Sequence, residues 1–455
     1  MAVTRAQPFG PRALRSPAVR DSLWAFLGSR AIVWLVGVPA FLLVPLSGWQ
    51  HTDPTALTRH LGAVGEVLGA PAVRWDSSYY VFTAQHGYEA LGQTAFFPFY
   101  PLVMRAVATV TYSEVVAGVL VSLVSFAIAL VVLHRLAELD FGPAVARRTV
   151  WLIALFPASV FFSAVYTEGL FLALSVAAVY AARRGSWAWA GALGGMAALT
   201  RNTGVLVLVP VLLLYLYGPR ADKPSTTRKG VRALEEGVRP HEEGVRPLAR
   251  GVTPLARGVR PLAGGVRPLA ERLRARYGLG ADALWLLLIP VGLAVFAIYT
   301  WIAYGSPFAS YDAQAIFHRE FLGPFSALWY GGRDVAQAVG DLLGIADGEG
   351  VGASLRTLAL AGTVVGALVA SVGALRRLPV AYGAYAIAAL LPPLSTPWPD
   401  HPLWSTPRFI AVLFPLFLWL AVVLRDRRWY LFVCVTFALG LAYVSARFSA
   451  WYWVA

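Results

Sequence analysis

One cysteine, three methionines and 24 acidic residues are all that a chain of 455 residues contains of these types. The lone Cys434 excludes an internal disulfide, a cysteine zinc site and a thiol pair, and leaves the redox compartment open. No P-loop, G-x-G-x-x-G or zinc-ligand spacing occurs, so nothing indicates nucleotide or structural-metal chemistry. Charged residues are scarce at 14%, while hydrophobic ones reach 58%, with 16 Trp and a mean hydropathy of +0.62. That composition lies far outside the soluble range and reads as a polytopic membrane protein.

Runs of mostly apolar residues begin near Ser22, Val115, Thr149, Glu168, Trp187, Gly204, Ala283, Thr357, Leu378, Phe409 and Trp429. They predict an all-α chain of about eleven transmembrane helices. The first run follows Arg5, Arg12, Arg15 and Arg20, is long enough to span and lacks an A-x-A-type cleavage site, so a retained helix with an inner N-terminus is expected. The inner loops are then 1–21, 135–148, 183–184, 219–282, 376–377 and 425–428. They hold 28 of the 38 Lys/Arg but only 11 of the 24 Asp/Glu, as the positive-inside rule requires. The short loops agree on their own through Arg183/Arg184, Arg376/Arg377 and Arg425/Arg427/Arg428. The net charge of +14 is thereby explained by topology and contact with membrane lipids, without nucleic acid.

These expectations divide the chain into a basic inner N-terminus (1–21), a transmembrane module (22–218) with a first outer loop at 47–114, an inner linker (219–282), and a second transmembrane module (283–455) with outer loops at 304–356 and 394–408. The linker contains GVRALEE, GVRPHEE, GVRPLAR, GVTPLAR, GVRPLAG and GVRPLAE in tandem from Gly230 to Glu271. Seven-residue spacing invites a coiled coil, but recurrent Gly and Pro forbid a continuous helix and favour a disordered linker.

The same topology puts the chemically interesting residues on one side. Arg74, Asp76, His86 and Glu89 follow the first span; Thr167/Glu168, Arg201/Asn202, Asp312/His318/Arg319 and Asp400/His401/Arg408 follow later odd-numbered ones. A carboxylate, histidines and arginines gathered on one face fit an anionic, partly lipidic substrate. Plainer readings exist for each. Asp76 suits a helix cap before SSYYVFTA, Glu168 a first-turn acid, the cluster AFFPFYP an interfacial belt, and Arg30, inside the first span, either an inner headgroup or a carboxylate partner. Arg408 follows Thr406-Pro407 at a helix start, where a cation is disfavoured unless an anion is bound. Gly191, Gly194 and Gly195 indicate close helix packing.

RWD (74–76), HGY (86–88), AFFPFYP (95–101), LFPASVFFSAVYTEGLF (155–171), TRNTG (200–204) and TPRF (406–409) together resemble the second GPI mannosyltransferase (PIG-V) family, a branch of the GT-C glycosyltransferases. The likeness covers roughly residues 22–215. It implies a GT-C-type bundle with extracytoplasmic loop helices, a dolichyl- or polyprenyl-phosphate-mannose donor, a glycolipid or lipid-linked glycan acceptor, an inverting transfer and an active site on the non-cytoplasmic face. The membrane would be the cell membrane in a prokaryote and the endoplasmic reticulum in a eukaryote. Two departures stand out. Eukaryotic relatives commonly carry another acid just after the WD aspartate, where this chain has Ser77 and Ser78, so any second carboxylate must come from elsewhere, such as Glu89 or Glu168. The heptad array has no counterpart either.

On this reading Asp76 is the base, and Arg201 and Arg408 are candidates for the donor phosphate. Arg74, His86, Glu168, Asn202 and His318 join them as donor or acceptor contacts. Trp75, Tyr79, Tyr88, Phe96, Phe97 and Tyr100 would line the lipid or sugar pocket. No cofactor is implied, although Glu168, Asp312 or Asp400 approaching Asp76 would permit a divalent metal. The competing readings are a lipid or sugar transporter or flippase, which needs polar groups near the midplane and repeated halves, and a catalytically inactive relative.

Overall fold

The computed structural model describes residues 16–46, 56–222, 277–345 and 350–454; the heptad array and the start of the N-terminal segment lie outside them. Among these residues the regular structure is entirely helical, apart from one isolated bridge between Trp398 and His401. Each of the eleven expected apolar stretches is helical. Five form continuous helices long and apolar enough to cross a bilayer; the others are shorter or broken, so a count of eleven crossings is not established.

Helix α1 (Pro17–Leu43) starts where Pro17 supplies a first-turn ring and the Ser16 hydroxyl accepts from the Val19 N–H at 3.4 Å. Three short helices follow, α2 (Gly62–Gly69), α3 (Ser77–His86) and α4 (Phe99–Thr111), all within the expected first outer loop. Ser113 caps the second long helix, α5 (Glu114–Phe141), and Gly142 at φ 86° turns the chain into α6 (Pro143–Leu155). At 13 residues α6 rises only ~20 Å, too little for a bilayer core. Pro157 then breaks the helix into a buried 3₁₀ turn, Pro157–Phe162.

Beyond it run α7 (Glu168–Arg184), α8 (Trp187–Thr200) and α9 (Leu208–Tyr217). Arg183 and Arg184 close α7 before Gly185 at φ 75°, where cations suit the helix C-terminus. The stretch expected to form the second module contains α10 (Leu288–Tyr304), then α11 (Ala309–Ile316) and α12 (Ser326–Leu342) in the expected loop 304–356, then α13 (Val351–Arg377), α14 (Val380–Ser395), α15 (Thr406–Ala411), α16 (Phe414–Val423) and α17 (Arg427–Ser449).

Two features tie the bundle together. The backbone of α10 and its preceding turn lies against α8 so closely that a Cβ on Gly191 would sit 1.9 Å from the Trp285 carbonyl and one on Gly195 2.6 Å from that of Leu288, so the expected glycine packing is present. The second is Arg30, buried within α1. It is buried at 5% exposure and pairs with no carboxylate among the described residues, in place of the headgroup or carboxylate expected from sequence. Its guanidinium donates to the Ser159 carbonyl at 2.8 Å, the Ser159 hydroxyl at 2.9 Å and the Ser163 hydroxyl at 2.5 Å, and lies over the Phe126 ring. Interior neutral acceptors thus satisfy a charge that hydrocarbon would not, and pin the broken 157–163 segment. The outward faces stay apolar, with Leu35 74% and Ile302 80% exposed, as surfaces facing lipid must be. The chain is an integral membrane protein.

Candidate active site

The site begins where the chain bends into α3. Trp75 takes φ 52°, a left-handed turn that a bulky residue rarely adopts, and presents Asp76 at the first position before the helix. Asp76 does not cap α3 through its side chain. The Ser77 hydroxyl instead accepts from the Arg74 N–H at 3.1 Å, and the Asp76 N–H donates to Tyr166 Oη at 3.1 Å. The carboxylate is therefore released toward a cavity of about 670 Å³.

Three segments from elsewhere meet it. Arg408 of α15 donates from Nη1 to Asp76 Oδ2 at 2.6 Å, and its Nε lies 3.1 Å from Glu168 Oε1. Glu168, the first residue of α7 and 1% exposed, pairs in this way with Arg408 and accepts a hydrogen bond from Arg201 Nη1 at 3.0 Å through the same oxygen. Its other oxygen is buried without a hydrogen-bond partner among the described residues. Burial opposes the Arg408 charge, but Asp76 and Glu168 outweigh it and raise the pKa, so Arg408 stays a cation. Burial, with Asp76 adding to it, pushes the Tyr166 phenol well above its usual value, so its hydroxyl remains neutral while it holds the Asp76 backbone.

A further cation faces the cavity: Arg319, just after α11. It has no carboxylate partner among the described residues and rests 5.6 Å from the Phe409 ring centroid. Burial, followed by the nearby Arg408, lowers its pKa to about 10, which leaves it protonated at neutral pH. Two carboxylates against three guanidinium groups leave one positive charge for an incoming anion. Sequence reasoning noted Arg319 in the outer loop but assigned it no role, because nothing local distinguishes it from His318.

The remaining expected residues divide. Trp75, Tyr79, Phe96, Phe97, Asn202 and His318 line the cavity, with Tyr79 stacked on Phe96 at 4.6 Å and the exposed His318 parallel to Trp398. Arg74, His86, Tyr88 and Tyr100 do not. Arg74, 1% exposed, donates to the carbonyls of Val73 and Ser449 and fastens α3 to the end of α17; burial lowers its pKa to about 9. His86 is exposed against Phe82 at the far end of α3. Tyr88 bonds the Phe96 carbonyl and packs on Phe296 of α10, while Tyr100 is anchored to Gly118 and Ser122 of α5 behind the wall. Glu89 is exposed and its N–H is taken by Gln93, so of the two expected second carboxylates only Glu168 meets the Asp76 network.

Trp451 and Trp453, to which sequence reasoning assigned nothing, pack edge-on against Trp75 at 5.5 and 4.9 Å and close one side of the cavity. Asp400 is exposed and Asp312 approaches Ser306. No group of three or more metal-ligating side chains forms among the described residues.

A family model described as Mannosyltransferase (PIG-V) matches residues 56–212. The GPI alpha-1,6-mannosyltransferase 2 of Cricetulus griseus is 37% identical over 152 residues, 31% of this chain and 30% of that protein. The GPI mannosyltransferase 2 of Cryptococcus neoformans is 30% identical over 160 residues, 32% of this chain and 38% of that protein. Each match thus spans well under half of the curated relative. Among solved structures, the archaeal oligosaccharyltransferase AglB from Archaeoglobus fulgidus, in complex with an inhibitory peptide and a dolichol-phosphate, superposes with a TM-score of 0.40 and 12% identity over 94% of this chain and 56% of that one. In sequence, the segment 56–212 that supplies Asp76, Glu168 and Arg201 is similar to the mannosyltransferases of the PIG-V family.

Proposed function

We propose that this chain is an inverting mannosyltransferase that moves a sugar from polyprenyl-phosphate-mannose to a lipid-linked or glycan acceptor on the non-cytoplasmic face. The observation that carries the reading is the Asp76 carboxylate, not used as a cap and set in a cavity beside three arginines and walled by aromatic rings. The family match over residues 56–212 supports the sugar, and the positive-inside asymmetry supports the face.

In the reaction, Asp76 accepts the proton of the acceptor hydroxyl as that oxygen bonds the sugar's anomeric carbon. The bond from that carbon to the phosphate oxygen breaks, and its electron pair leaves with the polyprenyl phosphate. The leaving group is already anionic and needs stabilisation by cations more than it needs a proton, so one carboxylate suffices. Arg319 is best placed to take that phosphate, because its charge is not already spent on a carboxylate. Arg408 orients Asp76, and Arg201 holds Glu168 so that Arg408 stays in place. The modules 22–218 and 283–455 are read as two parts of one catalytic bundle, since Asp76 comes from the first and Arg408 from the second.

The test is mannose transfer by purified protein in lipid vesicles from a polyprenyl-phosphate-mannose donor to extracted membrane glycolipids. Lipid movement between leaflets without sugar transfer would instead favour the transporter reading.

A further inference from the structure

A second cavity, of about 210 Å³, opens at the outer ends of α13 and α17, separated from the first by the Trp453 indole, which lines both. Its polar content is cationic. Arg356, from the first turns of α13, and Arg447, from the last turn of α17, both face it, and neither has a carboxylate within ion-pair distance among the described residues. The Nε of Arg447 is buried without a hydrogen-bond acceptor, its guanidinium lying 4.6 Å from the centroid of Tyr452. Two unneutralised guanidinium groups beside a low-dielectric membrane repel one another, and an anion relieves both costs.

The remaining walls set the shape of that anion. His401 and Trp404 stack at 3.6 Å and form a flat aromatic side, while Pro157, Leu360 and Val444 supply apolar surface. Gly440 keeps the floor tight: a Cβ there would stand 2.7 Å from Pro157 Cγ. Next to the opening, Val351, Leu355 and Tyr443 are more than half exposed, an apolar rim continuous with the lipid-facing surface. A ligand therefore enters sideways from the bilayer with its charge at the headgroup level and its apolar part outside.

We propose that this cavity binds the phosphate of an anionic membrane lipid headgroup, held by Arg356 and Arg447 and covered by the Trp404–Trp453 aromatic wall. Guanidinium groups suit this role because they pair with phosphate oxygens through two parallel donors, and anionic headgroups are concentrated at that depth. The site is distinct from the Asp76 cavity and does not depend on the transfer reaction.

The experiment is native mass spectrometry of the full chain, purified and then offered phosphatidylglycerol, phosphatidylcholine or inorganic phosphate. Wild type should retain phosphatidylglycerol over phosphatidylcholine, and R356Q/R447Q should lower that retention about tenfold. R356K/R447K should keep only part of it, since an ammonium lacks the paired donors, and inorganic phosphate should not displace it. A second variant, Thr363→Trp, leaves both arginines and fills the cavity, and it should abolish retention even if the glutamine pair folds poorly. Equal retention of phosphatidylglycerol by wild type and Thr363→Trp would overturn the proposal. Displacement by millimolar inorganic phosphate would overturn the lipid headgroup in favour of a soluble phosphate.

Discussion

Arg408 and Asp76, 332 positions apart in the chain, are joined by a 2.6 Å charge-assisted hydrogen bond. The same guanidinium reaches Glu168, so one arginine from the second half of the protein holds two carboxylates of the first. Arg408 is therefore a positioning residue before it is a ligand for any anion.

Replacing Asp76 tests the base. Asp76→Asn keeps the size of the side chain and one acceptor oxygen for Arg408 while removing the group that takes the proton. Transfer should fall roughly 10²–10⁴-fold with the protein still folded. Undiminished transfer by the folded variant would move the base elsewhere.

Loss of Arg408 should cost stability as well as rate. Arg408→Ala leaves Glu168, 1% exposed, with Arg201 as its one remaining cation, and breaking a buried ion pair from one side costs about 3–5 kcal/mol. A lower thermal midpoint in detergent, together with reduced transfer, is expected. Arg408→Lys should recover part of the stability but little of the rate, since an ammonium cannot span both carboxylates with fixed donors. An unchanged midpoint for Arg408→Ala would contradict the bridging role.

Arg319 should behave in the opposite way. Its guanidinium pairs with no carboxylate among the described residues, so Arg319→Ala should shift stability by no more than about 0.5 kcal/mol. Donor KM should rise roughly 10- to 100-fold, the equivalent of one lost charge-assisted bond at about 1.5–3 kcal/mol. Kinetics at varied donor concentration would decide it, and a wild-type donor KM would place the phosphate elsewhere.

Arg30 supplies the structural contrast. Arg30→Ala strips donors from the Ser159 carbonyl and from two serine hydroxyls and opens space beside Phe126. The variant should unfold at lower temperature and keep the donor KM of the fraction that folds. A selective change in donor KM would show that Arg30 communicates with the cavity.

Topology is open to direct labelling, because Cys434 is the single cysteine. In a Cys434→Ser background, Glu89→Cys, at an exposed position, should react with a membrane-impermeant maleimide added outside, and a cysteine in the 230–271 array should not. The reverse pattern would invert the orientation and put the Asp76 cavity on the cytoplasmic side.

Hydropathy alone located the eleven apolar helical stretches, since burying backbone in lipid leaves the helix as the simplest solution for each apolar run, but not the helices α2, α4, α11 and α12 between them. It could not show which runs are continuous. The break at Pro157 depends on Arg30, Ser159 and Ser163 satisfying one another across two segments, and that is not a property of either segment. The candidate carboxylate was similarly legible in RWD, but its environment was not. A helix cap and a released carboxylate look the same in a sequence, and the choice rests on Tyr166 and Ser77 taking the local bonds.

Sequence by itself determined the membrane class and the segment that resembles a mannosyltransferase, because composition and motif spacing are carried by residues close together in the chain. Tertiary structure alone decided the pairing. It tied Arg408 to Asp76 and Glu168, left Arg319 without a carboxylate among the described residues, withdrew Arg74 and Tyr100 into support, and brought Trp451 and Trp453 to the cavity wall. A charge is spent or available according to which partner lies within a few ångströms, and that distance is set by packing between helices far apart in the chain.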